Sequence, residues 1–363
     1  MPRPKICVLK IKNRKSIIKN MKGKILVTGG TGYIGSHTVC ELIGQGYEVV
    51  IVDNLSNSER FIVDRIEQIT GTRPAFYEFD LKDAAKVNEL FDREKDIKGV
   101  IHFAASKAVG ESVKIPLTYY RNNLTSLINL LEAMQSHSVQ NIVFSSSCTV
   151  YGQPDKLPVD ESAPIKPAES PYGYTKQVCE NILRDTVKAA AGAVHGIALR
   201  YFNPIGAHPS GLIGELPRGV PNNLMPFITQ TAYGIRQQLS VFGDDYNTPD
   251  GSCIRDYIHV VDLAKAHIVA VDRMINGKNK ADFEVFNIGT GNGYSVLEVI
   301  KSFEKVSGLK LNYKIAGRRE GDIEQIWADT RIANNELGWK AQLSIDDMTL
   351  SAWRWEQNYR KSL

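Results

Sequence analysis

The 363 residues contain no apolar run near the roughly 18 residues that a membrane-crossing helix requires, so no membrane partner is expected. Cysteine is scarce. Cys7, Cys40, Cys148, Cys179 and Cys253 are odd in number and none stands in a C-x-x-C pair, which argues against a disulfide framework or structural zinc. That usage fits a reducing, cytoplasmic setting, and no metal is expected. A dominant charge is missing as well. The formal net charge is +4, but residues 1–20 hold Arg3, Lys5, Lys10, Lys12, Arg14, Lys15 and Lys19 and no acid. Setting those seven aside leaves 37 basic against 40 acidic residues, a net −3, so the chain has no global basic footprint and nucleic acid is not an expected partner. Internal repeats and low-complexity tracts are also absent.

What is present is a folded composition, 43% hydrophobic and 23% charged, in a chain longer than one core usually serves. One large domain with a smaller partner, or two domains sharing a cleft, is expected. The basic leader is read as a solvated arm, residues 1–20, or as sequence preceding a start at Met21; its apolar pieces are too short for a secretory core. From Lys24 short β-branched runs alternate with longer amphipathic stretches, the pattern of βαβ units in a doubly wound parallel α/β sheet. Strands are predicted over 24–28, 48–53, 75–79, 99–103, 141–146 and 196–202, and helices over 33–42, 84–91, 116–134 and 172–188. After Asn203 the rhythm gives way to Pro- and Gly-rich loops. The expected division is a nucleotide-binding domain over 21–203, with return segments near 256–290, and a smaller C-terminal α/β substrate lobe over 204–363.

The first strand runs into Thr28-Gly29-Gly30-Thr31-Gly32-Tyr33-Ile34-Gly35, which opens the first helix with glycines at 29, 32 and 35. A turn of this kind brings backbone N–H groups and the positive end of a helix dipole against a pyrophosphate. Asp53 closes the second strand, where a carboxylate accepts from the ribose hydroxyls of NAD and repels the extra phosphate of NADP. Asp80 ends the third strand and can meet the adenine edge, while Phe103-Ala104-Ala105 ends the fourth with small residues that leave room for cofactor.

Tyr172 and Lys176 lie four residues apart, on one face of a helix. Ser147 lies 25 residues earlier in Ser145-Ser146-Ser147-Cys148-Thr149, at the carboxyl end of the fifth strand, where open α/β sheets bind ligands. A phenol with pKa about 10 needs about 4 kcal/mol of preferential anion stabilisation to become a base near neutrality. One cation at ~4 Å supplies about that much. Lys176 and an oxidised nicotinamide ring are expected to provide it.

With these motifs in place, the chain from Lys24 to its end resembles the extended short-chain dehydrogenase/reductase superfamily and, within it, the UDP-glucose (UDP-galactose) 4-epimerase family. The resemblance is carried by residues 28–38, 107–112, 145–152, 170–173, 200–211, 221–226, 255–260 and 318–322. It implies a Rossmann-type fold, bound NAD, and oxidation of the sugar at C4 followed by hydride return to the opposite face. Tyr172, Lys176 and Ser147 are the implied catalytic set. The implied cofactor contacts are Gly29, Gly32, Tyr33, Ile34, Gly35, Asp53, Asn54, Asp80, Leu81, Phe103, Ala104, Lys107, Asn122, Ser145, Tyr172, Lys176 and Tyr201. For the UDP-hexose they are Ser147, Thr149, Tyr172, Phe202, Asn203, Asn223, Leu224, Arg255, Arg319, Asp322 and Ile326. A homodimer built through long helices beside the sheet is implied by the same analogy.

Ile326 occupies a position where some members of the resembling family carry tyrosine, which narrows the sugar pocket. Its smaller side chain leaves UDP-N-acetylhexosamines open as further substrates. A 4,6-dehydratase would need a carboxylate pair beside the catalytic hydroxyl, and Cys148-Thr149-Val150 supplies none. A net dehydrogenase and a non-catalytic NAD-binding protein are the other rivals, the second opposed by the intact Ser147, Tyr172 and Lys176. His37, His102 and Cys148 are read as packing residues, and Arg218 and Arg318 as solvated charges.

Overall fold

The computed structural model describes residues 22–319 and 323–363, so the leader and Asp322 lie outside the described residues. The N-terminal part contains β1 (Lys24–Thr28), α1 (Tyr33–Gly44), β2 (Glu48–Asp53), α2 (Phe61–Thr70), β3 (Ala75–Glu78), α3 (Ala84–Arg93), β4 (Ile97–His102), α4 (Val109–Lys114), α5 (Pro116–Ser136), β5 (Asn141–Ser147), α6 (Pro171–Ala189) and β6 (His195–Tyr201). There follow β7 (Asn203–Ile205), α7 (Leu224–Ala232), β8 (Leu239–Phe242), β9 (Ile254–Arg255), β10 (Tyr257–His259), α8 (Val260–Ile275), β11 (Phe283–Ile288), β12 (Tyr294–Ser295), α9 (Val296–Ser307), β13 (Tyr313–Ala316), β14 (Gln325–Ile326) and α10 (Ile345–Lys361).

The main sheet has seven strands in the order β11-β6-β5-β4-β1-β2-β3, all parallel. Strand order reverses beside β1, which opens a crevice at the carboxyl ends of β1 and β4. Burial explains the near-continuous apolar runs. Residues 25–27, 50–52 and 142–144 are covered on both faces, one by α1 and α8 and the other by α3, α5 and α6. The predicted strands and helices over 24–202 are all present, with ends shifted by no more than two residues. Helices α2, α4, α7, α8, α9 and α10 were not foreseen. A smaller core joins α7, α9 and α10, with Phe303 packed edge-on against Trp353.

One buried ion pair fixes the helix that matters most. Arg200 on β6 forks onto Glu180 on α6, Nε to Oε1 at 2.9 Å and Nη2 to Oε2 at 2.6 Å, and Ser146 of β5 donates to the same carboxylate. The guanidinium also lies over the Tyr151 ring. Both charges are withdrawn from water, so removing either partner would leave the other uncompensated at a cost of about 3–5 kcal/mol. The pair sets α6 in one register against β5 and β6. Tyr172 and Lys176 inherit that register.

Candidate active site

The glycine turn is shaped by close approach. Gly29 has φ +70°, and a Cβ there would meet the Ala104 nitrogen at 2.8 Å; a Cβ on Gly35 would lie 2.2 Å from the Gly29 carbonyl oxygen. No side chain fits either place, and the backbone cradle so formed suits a pyrophosphate at the start of α1. Gly32 stands at the N-cap of α1, Ile34 packs toward the core, and Tyr33 donates to the Gly206 carbonyl at 2.6 Å. At the end of β2, Asp53 accepts from Thr31 N (3.2 Å), Leu55 N (2.9 Å) and Ser58 Oγ (3.1 Å). Asn54 donates to Asp80 at 3.1 Å. Burial by itself would raise the Asp80 carboxyl, but the Lys82 N–H, the Asn54 amide and the Lys82 ammonium hold it below its ordinary value. The Leu81 carbonyl accepts from Asn129, and Asn122 donates to Ser106 at 3.0 Å. Phe103 and Ala104 follow β4 directly, so the fourth strand ends against the glycine turn.

On the next strand, Ser147 ends β5 and caps the short 3-10 turn at Cys148–Tyr151 by accepting from Thr149 N at 3.2 Å. The Thr149 hydroxyl is buried and has no hydrogen-bond partner among the described residues. Ser145 bonds the Tyr201 hydroxyl through its side chain, and its carbonyl accepts from Lys176 Nζ at 2.6 Å. Lys176 sits 4.8 Å over the Phe144 ring and 5.9 Å from the centre of the Tyr172 ring. Tyr172 is buried in the first turn of α6, where Ser170 caps the helix.

Burial dominates the electrostatics of this group. It pushes the Tyr172 phenol far above its ordinary value, with neighbouring Tyr201 adding to the rise and Ser147 opposing it. It also pulls the Lys176 ammonium down to about 8, against the pull of Cys179 and Glu180. Charges ~6 Å apart at an effective dielectric of ~20 attract by roughly 3 kcal/mol, about two pK units. Lys176 is thus one of the two positive charges expected beside Tyr172, the oxidised nicotinamide ring being the other.

The residues expected to meet the substrate come from distant segments. Phe202 and Ile326 pack together with Cys148, Val150 and Tyr151 in one buried cluster beside Ser147. Arg255 on β9 pairs with Ile326 on β14, and its Nη1 donates to the Ile254 carbonyl at 2.8 Å. Asn203 begins β7, Asn223 stands at the N-cap position of α7 without a side-chain capping bond, Leu224 is that helix's first residue, and Arg319 lies over the Phe242 ring at 5.9 Å. The buried Asp256, unnoticed in the sequence, ties several of these together. Its main chain bonds Asn203 N (3.0 Å) and the Ile326 carbonyl (3.1 Å), and its carboxylate accepts from Thr290, Gly291 and Ala328. Glu215 was also missed. It accepts from Asn223 Nδ2 at 2.5 Å, lies 3.9 Å from Lys107 Nζ, and has its carboxyl raised by burial.

The packing readings of the other residues agree with their surroundings. His102 bonds Thr28 Oγ1 at 2.7 Å and is pulled down to about 3 by burial, and His37 bonds the Tyr33 carbonyl. Burial pushes the Cys148 thiol up to about 12, so it is no nucleophile near neutrality. Among the described residues Cys40, Cys148, Cys179 and Cys253 are free, no His/Cys/Asp/Glu group is placed to hold a metal ion, and no helix is long and apolar enough to cross a membrane. Arg318 and Arg218 are not free charges. Arg318 forks onto Asp245, and Arg218 reaches the loop after β2.

Because burial lowers Lys176, the unfolded chain binds more protons than the folded one between about pH 8 and 10.5, and stability rises with pH through that window. Lys176→Met is expected to be more stable than wild type at pH 7 by on the order of 3 kcal/mol. In urea unfolding the gap should narrow as pH approaches 10; a gap independent of pH would contradict a buried, titrating ammonium.

A family model described as GDP-mannose 4,6 dehydratase matches residues 26–351. UDP-glucose 4-epimerase of Bacillus subtilis (strain 168) is 53% identical over 334 residues, covering 92% of this chain and 97% of the relative. The crystal structure of UDP-glucose-4-epimerase from Stenotrophomonas maltophila, with bound NAD and formylated UDP-arabinopyranose, superposes with TM-score 0.90 at 48% identity. It covers 94% of this chain and 100% of its own. The enzyme of that name from Bifidobacterium longum, in complex with NAD+ and UDP, superposes with TM-score 0.89 at 48% identity over the same shares.

Proposed function

The chain belongs to the UDP-glucose 4-epimerase family of extended short-chain dehydrogenase/reductases, and from that premise we propose that Tyr172, Ser147 and Lys176 carry its reaction. The reaction is reversible inversion at C4 of a UDP-hexose, UDP-galactose or UDP-glucose, through a 4-keto sugar and with NAD as cofactor. The observation that carries the assignment is a buried phenol one helix turn from a buried ammonium. Both stand at the carboxyl end of β5, beside a glycine turn that no side chain can fill.

The residues present fit NAD. Gly29 and Gly35 leave room for the pyrophosphate, Asp53 offers carboxylate oxygens to a ribose, and Asn54, Asp80 and Leu81 lie on the adenine side. Phe103, Ala104, Lys107, Asn122, Ser145 and Tyr201 complete its contacts. When bound, NAD supplies the hydride acceptor at C4 and, while oxidised, the second positive charge that the phenol requires. Tyr172 then removes the 4-hydroxyl proton. Ser147 Oγ holds the same oxygen, and the Thr149 hydroxyl is available to the sugar. Lys176 stabilises the phenolate across the first turn of α6.

The 4-keto sugar must turn over before the hydride returns, so the protein has to grip the nucleotide and leave the sugar loose. Arg255 and Arg319 suit the pyrophosphate because guanidinium forks match its oxygens. Phe202, Asn203, Asn223, Leu224 and Asp322 hold the remainder. The positions after Ser147 hold Cys148 and Thr149, which leaves a dehydratase's acid pair without a place. Tyr172→Phe is expected to lower turnover of UDP-galactose by at least about 10³-fold while UDP binding changes little. Product stereochemistry read by NMR checks it, and undiminished turnover would remove Tyr172 from the mechanism.

Val109, Val113, Leu117 and Tyr174 place exposed apolar surface on α4, α5 and α6. That exposed surface supports the homodimer reading, in which a second copy would cover these helices. Free, buried cysteines support a reducing, cytoplasmic setting.

Ile326 favours a second substrate class. It is buried against Cys148 and Phe202 beside Ser147, so a larger side chain there would press toward the sugar position. We assign UDP-N-acetylhexosamines as additional substrates on this ground. Ile326→Tyr should suppress turnover of UDP-N-acetylgalactosamine about tenfold more than that of UDP-galactose; equal losses would reject the gate.

A further inference from the structure

Arg218 lies in the segment that runs from Glu215 to Asn223, whose two ends meet through their side chains at the candidate site. Midway along it, the guanidinium crosses to the loop that follows β2. Nη1 donates to the Ser56 carbonyl at 2.9 Å, Nη2 to the Ser58 carbonyl at 2.7 Å, and Nε and Nη2 to Glu59 Oε1 at 3.1 and 2.9 Å. The far side of that loop is fixed by Asp53, which accepts from Leu55 N and Ser58 Oγ, and Ser58 Oγ also bonds Thr31 Oγ1 at 2.8 Å. The loop is thus held from below by the ribose-binding carboxylate and from above by an arginine about 160 residues away in sequence.

An exposed ion pair alone contributes little. Here two of the four bonds end on main-chain carbonyls in a planar fork that lysine cannot reproduce, so the contact orders backbone as well as charge. The second lobe leans on the same edge, where Phe61 of α2 stacks on Tyr359 of α10. A cofactor returned unchanged at every turnover has no need to leave, and a latch at its adenosine end restrains release without touching the reacting carbon.

We propose that Arg218 is a positioning residue that latches the loop 54–59 over the adenosine ribose and slows the escape of NAD. The inference rests on the reading of the glycine turn and Asp53 as the NAD site.

The test uses the intact holoenzyme, with NAD release followed by timed ultrafiltration and chromatography of the filtrate. Arg218→Ala is expected to release NAD about tenfold faster, equivalent to about 1.4 kcal/mol, and Arg218→Lys at an intermediate rate. Turnover per cofactor-loaded molecule should stay within about twofold of wild type, which a general loss of structure would not allow. Glu59→Gln leaves both carbonyl acceptors in place and should raise release about threefold; it serves if Arg218→Ala does not fold. Release at the wild-type rate in the variant measured overturns the latch alone. A wild-type chain that binds no NAD overturns the cofactor site and the latch with it.

Discussion

The constraint on which the site depends is a positive charge kept in a place that resists it. Lys176 is buried against Phe144 and Tyr172, holds the Ser145 carbonyl, and has its ammonium pulled down to about 8 by the loss of water. The same dryness raises the phenol it serves. Burial thus weakens the ammonium and the phenolate together, the phenolate more. A positive charge bound in the cleft beside them would favour the phenolate.

The surrounding fold makes that arrangement rigid. The Glu180–Arg200 pair and Ser146 fix α6 on β5 and β6, so the Tyr172 and Lys176 side chains arrive at the strand end in one register. On the other wall, Asp256 fastens Asn203 and Ile326 to one buried point, though their positions in the chain are far apart. Tyr33, bonded to the Gly206 carbonyl, joins the glycine turn to the substrate side. The candidate residues thus stand on strands and helices of the scaffold more than on loops.

How much of this could be read from the sequence follows from distance along the chain. The glycine turn, Asp53 and the Tyr172–Lys176 pair are local patterns whose geometry is set by a strand end or one helix turn. The β-branched runs gave the parallel sheet because both its faces are covered. Arg255, Asn223 and Arg319 carried no local signal, and only resemblance to a family singled them out. Asp256 and Arg218 act through partners 34 to 160 residues away, and Glu215 through the distant Lys107 as well as the nearer Asn223, so little in their neighbourhood announced them. The depth at which the phenol lies is a different matter: the spacing of Tyr172 and Lys176 gives a shared helix face, whereas burial comes from the packing of β5, β6 and α6 around it.

The central claim is that the hydride lifted from C4 stays inside the site and returns to the same carbon. UDP-galactose carrying deuterium at C4, followed by NMR and mass spectrometry over many turnovers in ordinary water, tests this most directly. The account predicts UDP-glucose that retains its deuterium at C4, with none in the solvent and no requirement for added coenzyme. Steady loss of the label to water or to free coenzyme would contradict it.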